Sequence, residues 1–184
     1  MQNKQTLNQQ GFTLIEAMIV VAIIAIVLSL AAPSFNDFFE KNRLKRAAEE
    51  VYGLVTKARA EGVIRDADMS IAVDTGEWCV GYAATAGCDC TVGKDAAGAC
   101  SVPVAGTNVL QVVNGANFSG VTIAETFAGI GASFDNVKGT AGTGRVSLSA
   151  GDWDLDVVVS GMGRVMICSP AGSTTTMGYI ACPL

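Results

Sequence analysis

An almost uncharged hydrophobic segment near the N-terminus is the first pattern in the chain. Between Phe12 and Ala32 nearly every side chain is apolar, and Glu16 is the only charged one. A helix of this length is about 31 Å long, which matches a hydrocarbon core of roughly 30 Å. The pattern therefore predicts a transmembrane helix over residues 12–35.

The helical pattern continues past this segment but becomes one-sided. Apolar residues recur at steps of three and four, while charged residues occupy the other faces. Pro33 marks the change, because proline lacks an N–H and disfavours helix just before it. We expect a kink or local melting there, followed by an amphipathic half of the helix over residues 36–66. The recurring apolar residues are Phe35, Phe38, Phe39, Leu44, Ala47, Ala48, Val51, Tyr52, Val55 and Ala58.

Residues 67–184 show a different pattern, with about eight short β-branched or aromatic runs separated by Gly, Asn and Asp. Antiparallel sheets of this kind need a cover on one face, and the one-sided helix can provide it. The predicted fold class is α+β: a long N-terminal helix packed on an antiparallel β-sheet or sandwich head. The predicted strands are Met69–Val73, Trp78–Tyr82, Val109–Val113, Val121–Ile123, Ile130–Phe134, Arg145–Ser149, Asp154–Val159 and Arg164–Cys168.

Composition removes several classes of function. The chain has 12 basic and 17 acidic residues and a formal net charge of −5, which argues against a broad nucleic-acid surface. It has no histidine, which excludes His-based triads, His proton shuttles and His-containing zinc sites. No nucleophile is accompanied by a recognisable base. We therefore assign no catalytic residue, no enzymatic activity, no metal and no cofactor.

Six cysteines form an even set that predicts disulfide bonds in an oxidising compartment. We expect Cys168 to pair with Cys182 and so to close the C-terminal segment. The partner of Cys79 stays open among Cys88, Cys90 and Cys100, although a Cys88–Cys90 bond across one residue is disfavoured. A zinc site of four cysteines is the alternative, but Cys88-x-Cys90 lacks the usual gap of two to four residues.

Alternating aspartates at 152, 154 and 156 resemble the opening of a calcium loop. Val157 stands where the turn glycine belongs, and Gly163 stands where a bidentate glutamate belongs. A half-buried strand explains the alternation better, with the apolar side chains on one face and the three carboxylates in solvent.

Residues 1–31 also fit an ordinary secretory signal, which would give a soluble domain beginning at Ala32. Lys4 would supply the n-region and residues 17–28 the h-region. Glu16 argues against this alternative, because a charged carboxylate costs about 2.5–3.5 kcal/mol near the middle of a bilayer. Such a residue needs a partner.

The string Gly11-Phe12-Thr13-Leu14-Ile15-Glu16, placed between a short polar leader and the apolar run, resembles the class III signal of type IV pilins and type II secretion pseudopilins. The resemblance implies a leader at 1–11, cleavage after Gly11 by prepilin peptidase, and N-methylation of Phe12. It also implies that Glu16 reaches the new amine of a neighbouring subunit, and that the helix containing Pro33 is the assembly element.

Later segments resemble the GspH/FimT/FimU group of minor pilins and pseudopilins. These are Phe134-Asp135, Gly144-Arg145-Val146-Ser147-Leu148-Ser149 and Gly163-Arg164-Val165-Met166-Ile167-Cys168. Some FimT-like members bind DNA through Gly-Arg-x-Arg-x-Cys. Here Met166 replaces the second arginine, so Arg164 is a weak candidate for DNA contact, since fewer phosphate contacts mean weaker binding.

The resemblance implies a minor type IV pilin of the FimU/FimT kind, whose partners are other major and minor pilins, prepilin peptidase and the inner membrane. Its head would lie in the periplasm before assembly and on the pilus afterwards. The positive-inside rule favours the opposite orientation, but the cysteines favour the periplasm. The alternatives are a type II secretion pseudopilin of the GspH kind and a DNA-receiving minor pilin. The basic residues that create this conflict are Lys41, Arg43, Lys45 and Arg46.

Overall fold

A computed structural model describes residues 11–127, 132–173 and 178–183, with the backbone alone for residues 30–35. Contacts divide the chain into two compact units, Met1–Phe38 and Phe39–Leu184. The predicted leader residues 1–10, and Ile130 of a predicted strand, lie outside the described residues. The proposed boundaries at residues 11, 35 and 66 stay predictions.

Helix α1 runs from Leu14 to Arg65. It passes position 33 without a break, so local melting is not observed at the proline. Within the second unit its buried stripe follows the three- and four-residue steps that the sequence predicted. Phe38 and Phe39 depart from the prediction, because 59% and 53% of their surfaces are exposed. The buried helical residues are Leu44, Ala47, Ala48, Val51, Leu54, Val55 and Ala58.

Within the described part of the head, ten antiparallel strands follow the helix and form two four-stranded sheets and a hairpin. The first sheet has the order β5-β2-β1-β7, the second has the order β10-β9-β8-β6, and the hairpin pairs β3 with β4. The strands are β1 Met69–Asp74, β2 Cys79–Ala83, β3 Ser101–Val104, β4 Thr107–Leu110, β5 Val112–Asn114, β6 Thr122–Glu125, β7 Ser133–Phe134, β8 Gly144–Ala150, β9 Trp153–Val159 and β10 Val165–Cys168.

One core joins the helical stripe to both four-stranded sheets. Its fully buried side chains include Tyr82 from the first sheet, Leu148 and Leu155 from the second, and Phe118 from the loop after β5. The Tyr82 hydroxyl donates to Gln111 Oε1 at 3.0 Å, and burial raises the pKa of Tyr82 to about 12. The α+β class and the helix packed on antiparallel sheet are therefore confirmed.

The run predicted as one strand at residues 109–113 is two strands that join at Gln111. The Gln111 N–H donates to the Cys100 carbonyl at 2.9 Å, whereas its carbonyl accepts from the Tyr82 N–H at 3.1 Å. The chain thus leaves the β3–β4 hairpin and enters the first sheet at this residue. The side chain is buried and accepts from Lys57 Nζ at 2.8 Å as well as from Tyr82.

Candidate assembly elements and head surfaces

The predicted processing site lies just before the start of α1. Thr13 caps the helix, because its Oγ1 accepts the Glu16 N–H at 3.4 Å and its carbonyl accepts the Ala17 N–H at 3.2 Å. Thr13 and Glu16 have the spacing of a capping box. Gly11 and Phe12 precede the first helical residue, and 83% of Phe12 is exposed. Both residues of the predicted cleavage site are exposed in the single chain.

The first part of α1 exposes large apolar side chains on all sides. Residues 14–29 are exposed in the single chain, and Glu16 is the only charged residue among them. A surface this apolar favours contact with lipid or with other helices over contact with water. The most exposed members beyond Phe12 are Leu14, Ile15, Met18, Val21, Ile26 and Leu28.

Across residues 11–127, 132–173 and 178–183, no helix combines the length and the hydropathy that crossing a bilayer requires.

Four of the six cysteines form two bridges, Cys79–Cys90 and Cys88–Cys100, on the outer face of β2. With Ala83 they make a small buried cluster apart from the main core. A Cβ added to Gly81 would collide with the side chain of Cys100, so glycine allows this close approach. Every cysteine sulfur is in a disulfide, so the alternative of a thiolate zinc site is wrong.

Two contacts attach the C-terminal segment to the rest of the head, and a third pairs the two ends of the segment with each other. Cys168 and Cys182 form a disulfide, as the sequence predicted, and a parallel bridge joins Ser169 to Ala181. The Tyr179 hydroxyl donates to Glu49 Oε1 of α1 at 3.1 Å. Burial, and then the Glu49 carboxylate, raise the pKa of Tyr179 to about 12. We call the described residues of this segment, 169–173 and 178–183, the C-terminal strap.

Arg164 lies just before β10 rather than inside it, and its side chain is exposed. Its N–H donates to Ser160 Oγ at 3.1 Å, and its carbonyl accepts the Ser160 N–H at 2.9 Å. Gly163, in the same turn, is buried with a φ of +70°, and a Cβ there would meet the Gly139 carbonyl. The Gly-Arg motif therefore has a structural requirement for its glycine, and its arginine faces solvent.

Asp156 is buried, so the prediction that all three alternating aspartates face solvent is wrong for this residue. Arg145 of the neighbouring strand donates from Nη1 to Asp156 Oδ2 at 3.1 Å. Sequence alternation identified the outward face correctly but could not show that an ion pair covers it. Across the described ranges no group of three or more acidic, cysteine or histidine residues is arranged to hold a metal ion.

An acidic cavity of about 590 Å³ lies beside the Cys88 and Cys90 bridges, and sequence reasoning did not identify it. Its carboxylates come from three separate segments, so no local spacing signals them. Burial raises the pKa of Glu125 above its usual value. The acidic residues lining the cavity are Asp74, Glu77, Asp89 and Glu125.

Comparison with protein families accounts for both halves of the chain. Residues 6–32 match the model described as the prokaryotic N-terminal methylation motif. Residues 47–163, nearly two thirds of the chain, match the model described as type II transport protein GspH. The chain belongs to the GspH family. Membership places the chain among minor pilins and pseudopilins, which are structural proteins. The methylation motif implies that prepilin peptidase processes the chain and that the chain is a membrane-anchored component of a pilus-type assembly.

Curated relatives are similar to this GspH-family chain over short stretches. A fimbrial protein of Pseudomonas aeruginosa is 48% identical over 52 residues, which are 28% of this chain and 34% of that protein. The type IV major fimbrial protein FimA of Dichelobacter nodosus is 41% identical over 71 residues, 38% of this chain and 43% of that protein. The chain thus spans less than half the length of these relatives.

Two solved structures are also similar. The type IV minor pilin FimU of Pseudomonas aeruginosa is 21% identical, with a TM-score of 0.49, and the match covers 77% of this chain and 98% of that one. The minor pseudopilin EpsH of the type 2 secretion system of Vibrio cholerae is 9% identical, with a TM-score of 0.48, covering 69% and 97%.

Proposed function

We propose that this GspH-family chain is a minor type IV pilin that prepilin peptidase cleaves after Gly11 and that joins a filament through its N-terminal helix. The observation that carries the proposal is the exposed apolar helix that begins at Leu14, directly after the predicted cleavage site and within the methylation motif. Cleavage before Phe12 removes the polar leader and retains this helix. The chain then acts as a structural subunit and not as an enzyme.

The proposed role of Glu16 follows from electrostatics in an apolar environment. Cleavage creates an amine at Phe12, and a carboxylate among apolar side chains gains strongly from an opposite charge. Leaving one such charge unpaired costs several kcal/mol. We infer that Glu16 pairs with the amine of a neighbouring subunit and so sets the axial register. The helix around Pro33 packs with the helices of other major and minor pilins.

The proposed location is the inner membrane, with the head in the periplasm, and then the pilus at the cell surface. Three disulfides support an oxidising compartment. The alternative is a pseudopilin of a type II secretion system, and the description of the matching family model favours it. The two assignments share the processing site, the helix and the head.

The first experiment recovers the full chain from membranes and determines its intact mass and N-terminal sequence. A chain that begins at N-methylated Phe12 supports the proposal, whereas a chain that begins at Ala32 refutes it in favour of simple export. Recovery of the chain in filaments sheared from the cell surface favours the pilus. Its absence there, together with a secretion defect on deletion, favours the pseudopilin.

The second experiment replaces Glu16 with Ala and measures incorporation into filaments. We expect a drop of at least about tenfold, because a charge pair worth more than about 1.4 kcal/mol is lost. Glu50→Ala is the matched control, since Glu50 is an exposed acid on the part of α1 that packs in the head. Normal incorporation of the Glu16 variant would refute the pairing role.

A further inference from the structure

The two bridges on the outer face of β2 interleave along the chain. Four cysteines can pair in three ways, and the head uses Cys79–Cys90 with Cys88–Cys100. The first bridge thus closes across Cys88, and the second across Cys90. In an unfolded chain Cys88 and Cys90 lie two residues apart, and loop closure barely distinguishes them as partners for Cys79.

The folded head, in contrast, distinguishes clearly between Cys88 and Cys90 as partners for Cys79. Cys90 and Cys100 pack against Gly81 of β2, and Cys88 is held beside them by the Asp89–Ala99 bridge. All four cysteines are at most 7% exposed in the folded head. A chain that oxidises as Cys79–Cys88 and Cys90–Cys100 has the same number of bonds but cannot build this cluster.

We propose that the cysteines at 79, 88, 90 and 100 are the substrate of two successive reactions: oxidation by a protein disulfide oxidant, and isomerisation by a protein with a reactive thiolate. The inference rests on the proposed export of the head, because export brings the unfolded cysteines to the oxidant. Oxidation transfers two electrons per bond from a pair of thiols to the disulfide of the oxidant. It yields both local pairings, since the unfolded chain does not select between them.

Isomerisation of the mispaired form conserves electrons. The thiolate of the isomerase attacks Cys88 Sγ, forms a mixed disulfide and releases the Cys79 thiolate. This thiolate attacks Cys90 Sγ and releases the Cys100 thiolate, which attacks Cys88 Sγ and releases the isomerase. Two bonds exist before and two afterwards. The exchange must precede closure of the cluster, because the folded head buries all four sulfurs.

The test expresses the full chain in an otherwise identical pair of Gram-negative hosts, with and without their periplasmic disulfide isomerase. Free thiols are alkylated, and bridges are mapped by mass after cleavage before Asp89, which separates Cys88 from Cys90. We expect a several-fold loss of the native pairs without the isomerase, and a matching gain of Cys79–Cys88 with Cys90–Cys100.

The matched control is the double variant C88S/C100S, whose remaining cysteines pair in chain order. It should form Cys79–Cys90 equally in both hosts, and C79S/C90S serves in its place if it fails to accumulate. If the unaltered chain forms the native pairs equally in both hosts and Phe12 is processed, the need for an isomerase is overturned while the proposed export stands. Six free thiols in both hosts overturn the inference together with the proposed export.

Discussion

At the scale of single residues, Gly163 shows how a family motif can serve packing. Its φ of +70° lies in the left-handed region, and a methyl group there would meet the carbonyl of Gly139 in the neighbouring loop. The turn also places Arg164 just before β10, with its side chain in solvent. The glycine of the motif is thus constrained by the fold, independently of any ligand.

We expect Gly163→Ala to destabilise the head by about 2 kcal/mol or more, because backbone strain of this kind costs of order 1–3 kcal/mol before the collision is counted. The measurement is denaturant unfolding of the full chain in detergent. Gly93→Ala is the control, since a Cβ at Gly93 meets open space, and it should stay within about 0.5 kcal/mol of the parent. Equal stabilities of the two variants would contradict the structural role.

Two single residues also explain where the predicted strand boundaries were wrong. Trp78 begins a β-rich run, yet its φ is +47° and it ends the turn that Asp74 stabilises by accepting the N–H groups of Gly76 and Glu77. Gln111 divides a run that looks continuous, because its own hydrogen bonds change partner from the hairpin to the first sheet. Both departures depend on contacts between distant segments.

At the scale of elements, the helix and most strands follow from periodicity, whereas β3 does not. Its sequence contains Pro103, which argues against a strand. The hairpin accommodates the proline because, among the described strands, β3 pairs only with β4, so one edge of β3 needs no ladder N–H. The Pro103 carbonyl accepts from Arg65 at 2.8 Å. The buried helical stripe was predictable because the fold maintains its spacing through the whole second unit.

The C-terminal strap is closed by the Cys168–Cys182 disulfide. We expect C168S/C182S to lower the free energy of unfolding by about 3 kcal/mol, the value for a closed loop of about 15 residues. Early proteolysis within the strap should accompany the loss. Tyr179→Phe removes only the hydrogen bond to Glu49 and should cost about 1 kcal/mol. A double variant no less stable than Tyr179→Phe would contradict the prediction.

At the scale of the whole molecule, the sequence predicted the family and the class of fold because both depend on long patterns. The methylation motif and the apolar run need no tertiary information. The pairing of Cys79, in contrast, depends on tertiary structure. Cys88 and Cys90 are equivalent partners by sequence spacing until β2 forms and its outer face selects Cys90. The burial of Asp156 also depends on tertiary structure, because the guanidinium of Arg145 that covers it comes from the adjacent strand.

The net charge of the chain argues against the DNA-receiving alternative. The chain carries −5 at pH 7, and Met166 stands where the second arginine of the DNA motif belongs. Binding through counterion release scales with the number of phosphate contacts, so one exposed Arg164 contributes little. We expect the purified full chain in detergent not to retain duplex DNA at about 0.15 M salt, a concentration that screens charges beyond about 8 Å.

Arg164→Ala should therefore leave DNA retention unchanged, and Met166→Arg, which restores the motif, should raise it at low salt. Both are measured by mobility shift across a salt series, because a phosphate contact changes the salt slope by about one unit. Lys94→Ala is the control, since Lys94 lies in a different loop, between β2 and β3, and pairs with Asp95 at 3.1 Å. Retention by the parent chain that Arg164→Ala abolishes and Lys94→Ala preserves would establish the DNA-receiving alternative instead.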